Sequence, residues 1–375
     1  MDSQQEKFEQ AARSAEPDKP GRGWRYWAKR IVIDLVIAYV LICVGMYFLQ
    51  RRIVYQGEQA AELKAVECGF GPAQARDISA QTGGGAALNG WHIVGPGGPE
   101  LSKAPLVELF FCGNGGNRSG RVAPFRRQVS LGAHVVCFDY RGYGDSPGSP
   151  SEEGLAQDAR AAWDFLRGQG VPAASIVIHG ESMGGAVATR LAAELCNEKT
   201  PPAALVVEAT FTRLSDVAGR HYPWLPVRLI LTERFPSIER MPQITCPLLM
   251  LHGKLDNVVP FQLGQALFAA APEKSAAGIP KQFVELPECA HNDVGQRNAI
   301  EYRQAMRAFL VKLFPVLEQK PAPREKAHAA PLKKDAPGPA EPNKPGAHRR
   351  PRSSPKNAPA PTAERLPQTD AQDPK

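Results

Sequence analysis

One serine in this chain of 375 residues lies in a motif that can activate its hydroxyl. The motif Gly180-Glu-Ser182-Met-Gly184 has the G-x-S-x-G form, follows an apolar run and opens a stretch of small, helix-forming residues. A sharp strand-to-helix turn at the serine requires glycines beside it and places the hydroxyl at a helix N-terminus, which favours developing negative charge. We therefore predict that Ser182 is a nucleophile and that Gly180 and Gly184 form the elbow around it.

A serine hydroxyl needs a general base, and the base needs a third group to orient it. Asp256 lies just beyond the apolar run at 247–251, and His291 follows the run at 282–286. The order serine, aspartate, histidine, each after the end of a strand, is the order in which a parallel-sheet serine hydrolase supplies its triad. We predict Asp256 as the acid and His291 as the base, with Asp293 as an alternative acid and His252 as a hydrogen-bonding partner of the acid loop.

The negative charge that develops on a substrate carbonyl oxygen needs hydrogen-bond donors. One predicted donor is the backbone N–H of Met183, directly after the nucleophile. The other is expected from the glycine-rich loop Cys112-Gly-Asn114-Gly-Gly-Asn117, where the backbone can approach a substrate closely, and Asn114 is the best candidate. A phosphate-binding P-loop is excluded here because no G-K-[ST] follows.

These residues must be positioned by a sheet, and the chain between residues 50 and 315 alternates short β-branched runs with amphipathic stretches. The runs are apolar on successive residues, which indicates strands covered on both faces, as in parallel α/β folds. The predicted strands are 88–94, 105–111, 134–139, 175–179, 204–208, 247–251 and 282–286. The predicted helices are 122–131, 151–167, 183–194, 261–270 and 296–313.

With these motifs in order, the chain resembles the membrane-anchored α/β-hydrolases, the branch that holds bud-emergence-type proteins, lysophospholipase-like enzymes and acyl-protein thioesterases. The matching stretches extend over roughly residues 50–315. They are 50–55 (QRRIVY), 112–117 (CGNGGN), 139–146 (DYRGYGDS) with 151–154 (SEEG), 180–185 (GESMGG), and 246–256 together with 291–293 (HND). The resemblance implies an α/β-hydrolase fold with a serine aminopeptidase-type domain, a mostly parallel sheet with helices on both faces.

The same resemblance assigns the triad to Ser182, Asp256 and His291 and the oxyanion hole to Asn114 and Met183. The chain departs from the family at Cys112, where a histidine usually precedes Gly-Asn. Because that histidine generally orders the loop and stands outside the triad, we expect altered loop packing with the chemistry retained. A role for Cys112 as a second nucleophile is the alternative.

Residues 31–49 (IVIDLVIAYVLICVGMYFL) contain a single charge and would span about 28 Å as a helix, close to the thickness of a bilayer core. Trp24, Tyr26 and Trp27 suit an interfacial aromatic belt. A cleaved signal peptide and a buried core helix are the alternatives, but no small-x-small cleavage site follows the run. We predict a single-pass anchor with residues 1–30 in the cytoplasm and the catalytic domain outside, because five basic residues precede the run and two follow it.

The net charge of +7 would fit a nucleic-acid partner, but it belongs to the two ends of the chain. Residues 1–30 carry +2 and residues 316–375 carry +5, whereas the charges between them cancel. We therefore expect no nucleic-acid partner. Residues 316–375, rich in Pro, Lys and Ala, are predicted to be a disordered tail, with a basic tether to lipid or cell wall as the alternative.

Together these features predict a membrane-anchored serine hydrolase that cleaves an ester or thioester of a small or lipid-like acyl substrate. No metal or cofactor is needed, and no CxxC or CxxH spacing occurs among the seven cysteines. A cap segment is expected at about 212–240, either lining an acyl pocket or packing as a short insertion. The alternatives are a peptidase of the prolyl-aminopeptidase type and a non-catalytic binding or scaffold protein. The sequence does not specify an oligomeric state.

Overall fold

The centre of the protein is an eight-stranded, mostly parallel sheet. The computed structural model describes residue 10 and residues 23–319. The strand order is β10-β9-β8-β7-β4-β6-β3-β2, and β3 alone runs against its neighbours. The strands are β2 Ala75–Gln81, β3 Ala87–Ile93, β4 Val107–Phe111, β6 His134–Phe138, β7 Ile176–Glu181, β8 Ala204–Glu208, β9 Leu248–Gly253 and β10 Gln282–Leu286, with a separate two-stranded pair of β1 Gln56–Gly57 and β5 Gly115–Gly116. The predicted mostly parallel sheet is confirmed.

Helices cover both faces of this sheet. In the part of the chain described they are α1 Trp24–Val54, α2 Val122–Ser130, α3 Glu152–Gly168, α4 Met183–Asn197, α5 Leu214–His221, α6 Val227–Ile230, α7 Ser237–Arg240, α8 Phe261–Ala270 and α9 Ala299–Leu313. Successive residues of one strand serve opposite faces: in β7, Ile176 and Ile178 join one core, with α3, α4 and α8, whereas Val177 joins the other, with α9. This two-sided burial explains why the strands are continuously apolar.

One strand of the sheet is absent from the sequence-based prediction. Strand β2 (ARDISAQ) is polar, and only its first and sixth residues, Ala75 and Ala80, are buried. It lies at the edge and pairs with β3 alone, so it needs neither a continuous apolar run nor strict alternation.

The N-terminal helix α1 extends beyond the predicted 31–49 at both ends. Helix formation tolerates the flanking basic residues, so Arg30 and Arg52 both lie within its 31 residues. Arg30 and Asp34 form an ion pair one turn apart, at 3.9 Å. The helix is long and apolar enough to cross a membrane, and its most apolar stretch is not buried by the rest of the protein.

Glu233, a buried residue of the cap segment, connects the end of α1 to the body. Its carboxylate accepts hydrogen bonds from Arg51 Nε at 2.8 Å, from the Tyr55 hydroxyl at 2.6 Å and from the backbone N–H of Glu152 at 2.6 Å. The Glu152 carboxylate in turn accepts the backbone N–H groups of Arg234 and Phe235. Helix α1 is therefore fixed to the body by charge-assisted hydrogen bonds.

At the other end, the packed part of the chain extends past residue 315. Helix α9 is followed by a 3₁₀ turn at Pro315–Gln319, and Phe314 and Leu317 are buried in the same core as α9. The rest of the predicted tail, residues 320–375, lies outside the described residues. Most of the predicted N-terminal segment, residues 1–9 and 11–22, does so too.

Candidate active site

Ser182 occupies a strained turn between β7 and α4. Its backbone angles are φ 52° and ψ −117°, a combination that residues other than glycine rarely adopt. A Cβ added at Gly180 would lie 2.2 Å from the carbonyl oxygen of Gly184, and one added at Gly184 would lie 2.2 Å from the carbonyl oxygen of Phe111. The turn closes only because both positions lack a side chain.

The side chains of Ser182, His291 and Asp256 lie in one hydrogen-bonded row. His291 Nε2 is 2.9 Å from Ser182 Oγ, and His291 Nδ1 is 2.8 Å from Asp256 Oδ2. Because a carboxylate oxygen can only accept, Nδ1 carries the proton and Nε2 is left as an acceptor facing the serine hydroxyl. This is the tautomer that a general base for Ser182 requires.

Asp256 is held ionised by its surroundings although only 7% of its surface is exposed. Burial alone would raise its pKa, but hydrogen bonds from His252 and His291 and from backbone N–H groups outweigh burial and lower the pKa to about 2. Its second oxygen, Oδ1, accepts the N–H groups of Val258 at 2.9 Å and Val259 at 2.8 Å. Asp293, the alternative acid, instead accepts the N–H of Ala290 at 2.6 Å.

His252 forms hydrogen bonds to the loop that carries Asp256, the role suggested by the sequence. Its Nε2 lies 3.0 Å from the carbonyl oxygen of Val259 and 3.3 Å from Asp256 Oδ2, two acceptors, so this nitrogen carries the proton. Its Nδ1 is buried with no partner among the described residues and packs on Gly264, where a Cβ would be 2.3 Å away. His252 therefore acts as a donor that orients Asp256.

The glycine-rich loop after β4 lies beside the nucleophile. A Cβ placed on Gly113 would be 3.6 Å from Ser182 Cβ. The N–H of Gly113 donates to Glu181 Oε1 at 3.1 Å, and Glu181 also pairs with Arg121. Neither Asn114 nor Met183 has an acceptor for its backbone N–H within the described part of the chain, so both N–H groups are available to a substrate oxygen.

Two tyrosines, which the sequence analysis did not single out, hold this loop. The Tyr140 hydroxyl donates to the carbonyl of Cys112 at 3.0 Å, and the Tyr143 hydroxyl donates to the carbonyl of Asn114 at 3.0 Å. Both belong to the DYRGYGDS stretch, and so does Asp139, whose carboxylate forms a buried ion pair with Arg118 at 2.5 Å. The stretch therefore fixes the position of the loop that carries the predicted donors.

Cys112 is buried, and its side chain packs against a second cysteine. Its sulfur lies 3.5 Å from that of Cys137, and both thiols are free. No hydrogen bond joins Cys112 to a histidine among the described residues, so the base that a second nucleophile would need is not found there.

A buried charged cluster lies on the strands behind the elbow. His179, on β7, is completely buried and bonds Glu108 on β4 and Glu208 on β8, the latter at 2.9 Å. Burial alone would lower the pKa of His179, but the two carboxylates raise it to about 10. The Glu208 backbone carbonyl accepts the N–H of Ser182 at 2.8 Å, so the cluster supports the strand end that positions the nucleophile.

The cap contacts the acid loop. It comprises α5 to α7, and His221 Nε2 donates to the carbonyl of Val258 at 2.8 Å. Between the cap and α8 lies a cleft of about 570 Å³ whose walls include the apolar side chains of Leu225, Val227 and Leu263. The segment forms short helices beside this cleft, and a role in lining an acyl pocket stays a prediction.

Comparisons with known proteins agree with this architecture. The family model Hydrolase_4, described as serine aminopeptidase S33, matches residues 108–239. An uncharacterized protein of Mycobacterium tuberculosis, Rv2307c, is 38% identical over 286 residues, which cover 75% of this chain and 93% of that protein. Lysophosphatidylserine lipase ABHD12 of Macaca fascicularis is 37% identical over 236 residues, but this chain spans only 58% of its length.

Among solved structures, the esterase Pf2001 of Pyrococcus furiosus superposes with a TM-score of 0.53 at 17% identity, over 70% of this chain and 98% of that one. At this identity the likeness shows the fold alone. Family membership is shown by the family match together with Rv2307c, which is 38% identical and matched over 93% of its length. The chain belongs to the α/β-hydrolase superfamily, as predicted, and is an enzyme of the serine-hydrolase class.

Proposed function

We propose that this protein is a membrane-anchored hydrolase that cleaves a carboxylic ester or thioester of a lipid-like acyl substrate through Ser182, His291 and Asp256. The observation that carries the proposal is the hydrogen-bonded row from Ser182 Oγ through His291 to Asp256, at 2.9 and 2.8 Å. These are the distances at which a base takes a serine proton.

In this mechanism Ser182 Oγ attacks the acyl carbon as His291 Nε2 takes its proton. The tetrahedral intermediate places its oxyanion against the N–H groups of Met183 and Asn114. His291 then protonates the leaving alcohol or thiol, and the acyl group remains on Ser182. A water molecule, deprotonated by His291, releases the acid and restores the serine hydroxyl, while Asp256 stays ionised throughout.

The anchor in this proposal is α1, which has the length and the apolar surface of a membrane span. Five basic residues precede the apolar run and two follow, and this charge difference supports an outer position for the catalytic domain. Activity of a reporter fused after Lys375 on the outer side is the expected result. A reporter active only in the cytoplasm would contradict this orientation.

The substrate class follows from the apolar cap and from the relatives. The cleft of about 570 Å³ between cap and α8 offers apolar walls to an acyl chain. Relatives named lysophosphatidylserine lipases point to a single-chain phospholipid ester. Hydrolysis of a prolyl p-nitroanilide in preference to lysophospholipids and p-nitrophenyl acyl esters would favour the peptidase alternative instead.

The chemistry is tested by labelling the membrane fraction with a fluorophosphonate probe. Wild type is expected to be labelled and Ser182→Ala to be unlabelled. Ser79→Ala, which removes the hydroxyl of a serine on the edge strand β2, is the matched control and should label like wild type. Labelling of Ser182→Ala would overturn the assigned nucleophile, and no labelling of wild type would leave the scaffold alternative.

A further inference from the structure

The cap lies along the side of the anchor helix. At one end Gln50 Nε2 donates to the carbonyl of Ile230 at 3.2 Å, and Gln50 Oε1 accepts the N–H of Thr232 at 2.7 Å. At the other end the hydroxyl of Tyr39 donates to the carbonyl of Trp224 at 2.8 Å. The cap segment 222–231 therefore follows α1 from Gln50 back to Tyr39.

These contacts give the depth to which the cap extends. Tyr39 and Gln50 are eleven residues apart, or about 16 Å along a helix. Tyr39 lies in the middle of the apolar run 31–49, and Gln50 lies just past its end. If the run crosses a bilayer, Trp224 lies well inside the hydrocarbon of the leaflet nearest the body.

The helix face between these two points is partly shielded from solvent. Cys43 and Met46 are half-buried and Gln50 is buried, on the face that they share with Tyr39 at helical spacing. The other faces expose large apolar side chains, including Leu41 and Phe48. Helix and cap thus present one continuous apolar surface.

The cap segment itself is suited to a nonpolar medium. Trp224 is 55% exposed and Leu229 is 85% exposed, and neither is covered by the rest of the described protein. Pro223 and Pro226 have no N–H, and most of the other backbone N–H groups of 222–231 donate to carbonyls at or next to the segment. In hydrocarbon an unpaired carbonyl is costly, and Tyr39 supplies the donor that the Trp224 carbonyl needs.

One charge occurs in the segment. Arg228 is exposed, and its guanidinium lies 3.4 Å from Asp216 on α5. A long arginine side chain can extend to the interface and keep its charge in water while its backbone lies deeper. Arg228 is therefore compatible with a segment that enters a bilayer edge-on.

We propose that cap segment 222–231 enters the same leaflet that α1 spans, so that the substrate is a single-chain lipid taken sideways from the hydrocarbon. This inference rests on the proposed membrane span and lipid substrate. The segment also borders the apolar cleft, and His221 just before it contacts the loop of Asp256. In this proposal an acyl chain leaves the hydrocarbon beside the cap and enters that cleft, where apolar walls replace the lipid around it.

Depth is measured by tryptophan quenching in vesicles of phosphatidylcholine brominated at mid-chain. Three of the five tryptophans are exposed, Trp24, Trp27 and Trp224, and the other two are buried. Trp224→Phe should remove the largest quenched component, whereas the control Trp24→Phe, at the end of the helix, should remove a smaller one. Equal quenching of wild type and Trp224→Phe would overturn the proposal.

The functional consequence is measured on two substrates. Trp224→Glu should lower hydrolysis of a long-chain lysophospholipid in vesicles about tenfold or more, because a charge at depth opposes insertion. Hydrolysis of soluble p-nitrophenyl acetate should be unchanged, since Trp224 does not line the cleft. The matched control is Ile300→Glu, an equally apolar, 70% exposed residue on α9, and it should leave both rates unchanged.

The outcomes separate this inference from the proposed function. Loss of both activities in Trp224→Glu, or of neither, would overturn the inference. The proposed function would still be supported by fluorophosphonate labelling of Ser182 and by resistance of the protein to carbonate extraction. Failure of labelling or of membrane retention would instead remove the proposed function itself.

Discussion

The elbow at Ser182 depends on Gly184, and replacing that glycine by alanine tests this dependence. Its new Cβ would lie 2.2 Å from the carbonyl oxygen of Phe111 and 2.4 Å from that of Cys112. Ordinary contact begins at 3.4 Å, so the approach is about 1.2 Å too close. Both contacted atoms are backbone, and no side chain can rotate away to relieve them.

Two effects of Gly184→Ala oppose each other. Alanine is the better helix former, by about 1 kcal/mol at most. Overpacking of a tight site costs about 1–3 kcal/mol, so the net change is a modest loss of stability. The rate should suffer more, because the loop that starts at Cys112 and carries the Asn114 N–H must shift by about 1 Å, and a misplacement of this size costs about 10²-fold in rate.

The assay pairs initial rates on p-nitrophenyl butyrate with urea unfolding of the detergent-solubilised protein. The matched control is Gly168→Ala, at the end of α3, where a Cβ meets nothing within 4 Å. It should keep the wild-type rate. A Gly184→Ala enzyme with wild-type kcat would refute the argument that this glycine sets the position of the oxyanion loop.

Four further predictions follow from the site. Asp256→Asn should lower kcat by about 10⁴, because His291 then loses the acceptor that fixes its tautomer; a rate near wild type would contradict the role of Asp256. The lowered pKa of Asp256 contributes about 2 kcal/mol to stability, which is present above pH 3.8 and lost as the pH falls towards 2. The free energy of unfolding measured in urea should therefore fall more steeply between pH 3.8 and pH 2 in wild type than in Asp256→Asn, and equal slopes would contradict this. Arg118→Met should lower the free energy of unfolding, measured in urea, by about 3–5 kcal/mol, because it leaves Asp139 and Asp145 without their partner. A loss below about 1 kcal/mol would contradict this. Cys112→Ala should keep fluorophosphonate labelling, and loss of labelling would revive the second-nucleophile alternative.

The strands and the elbow could be predicted from sequence because their determinants are local. Each buried strand carries its own apolar run, and the glycines around Ser182 stand beside it in the chain. The chain order of Asp256 and His291 after strand ends was enough to select them, because parallel strands bring their carboxyl ends to one edge of the sheet.

What could not be predicted depends on contacts between distant segments. Glu181 binds Gly113, 68 residues away, and Tyr143 binds Asn114 across 29 residues. Nothing in the neighbourhood of these residues signals such a pairing. The polar edge strand β2 was missed for a different reason, because a strand with one partner and only two buried residues needs little hydrophobic pattern.

The junction at Glu233 has a consequence for where the enzyme can act. Because Arg51 and Tyr55 are both bonded to that carboxylate, α1 passes into the body without a flexible linker. With α1 in a bilayer, the catalytic serine is held at one height and one tilt above its own membrane. Such an enzyme would hydrolyse only lipids of the membrane in which it is anchored. Lipids of a separate vesicle would become substrates only after transfer between the membranes or fusion of the vesicle.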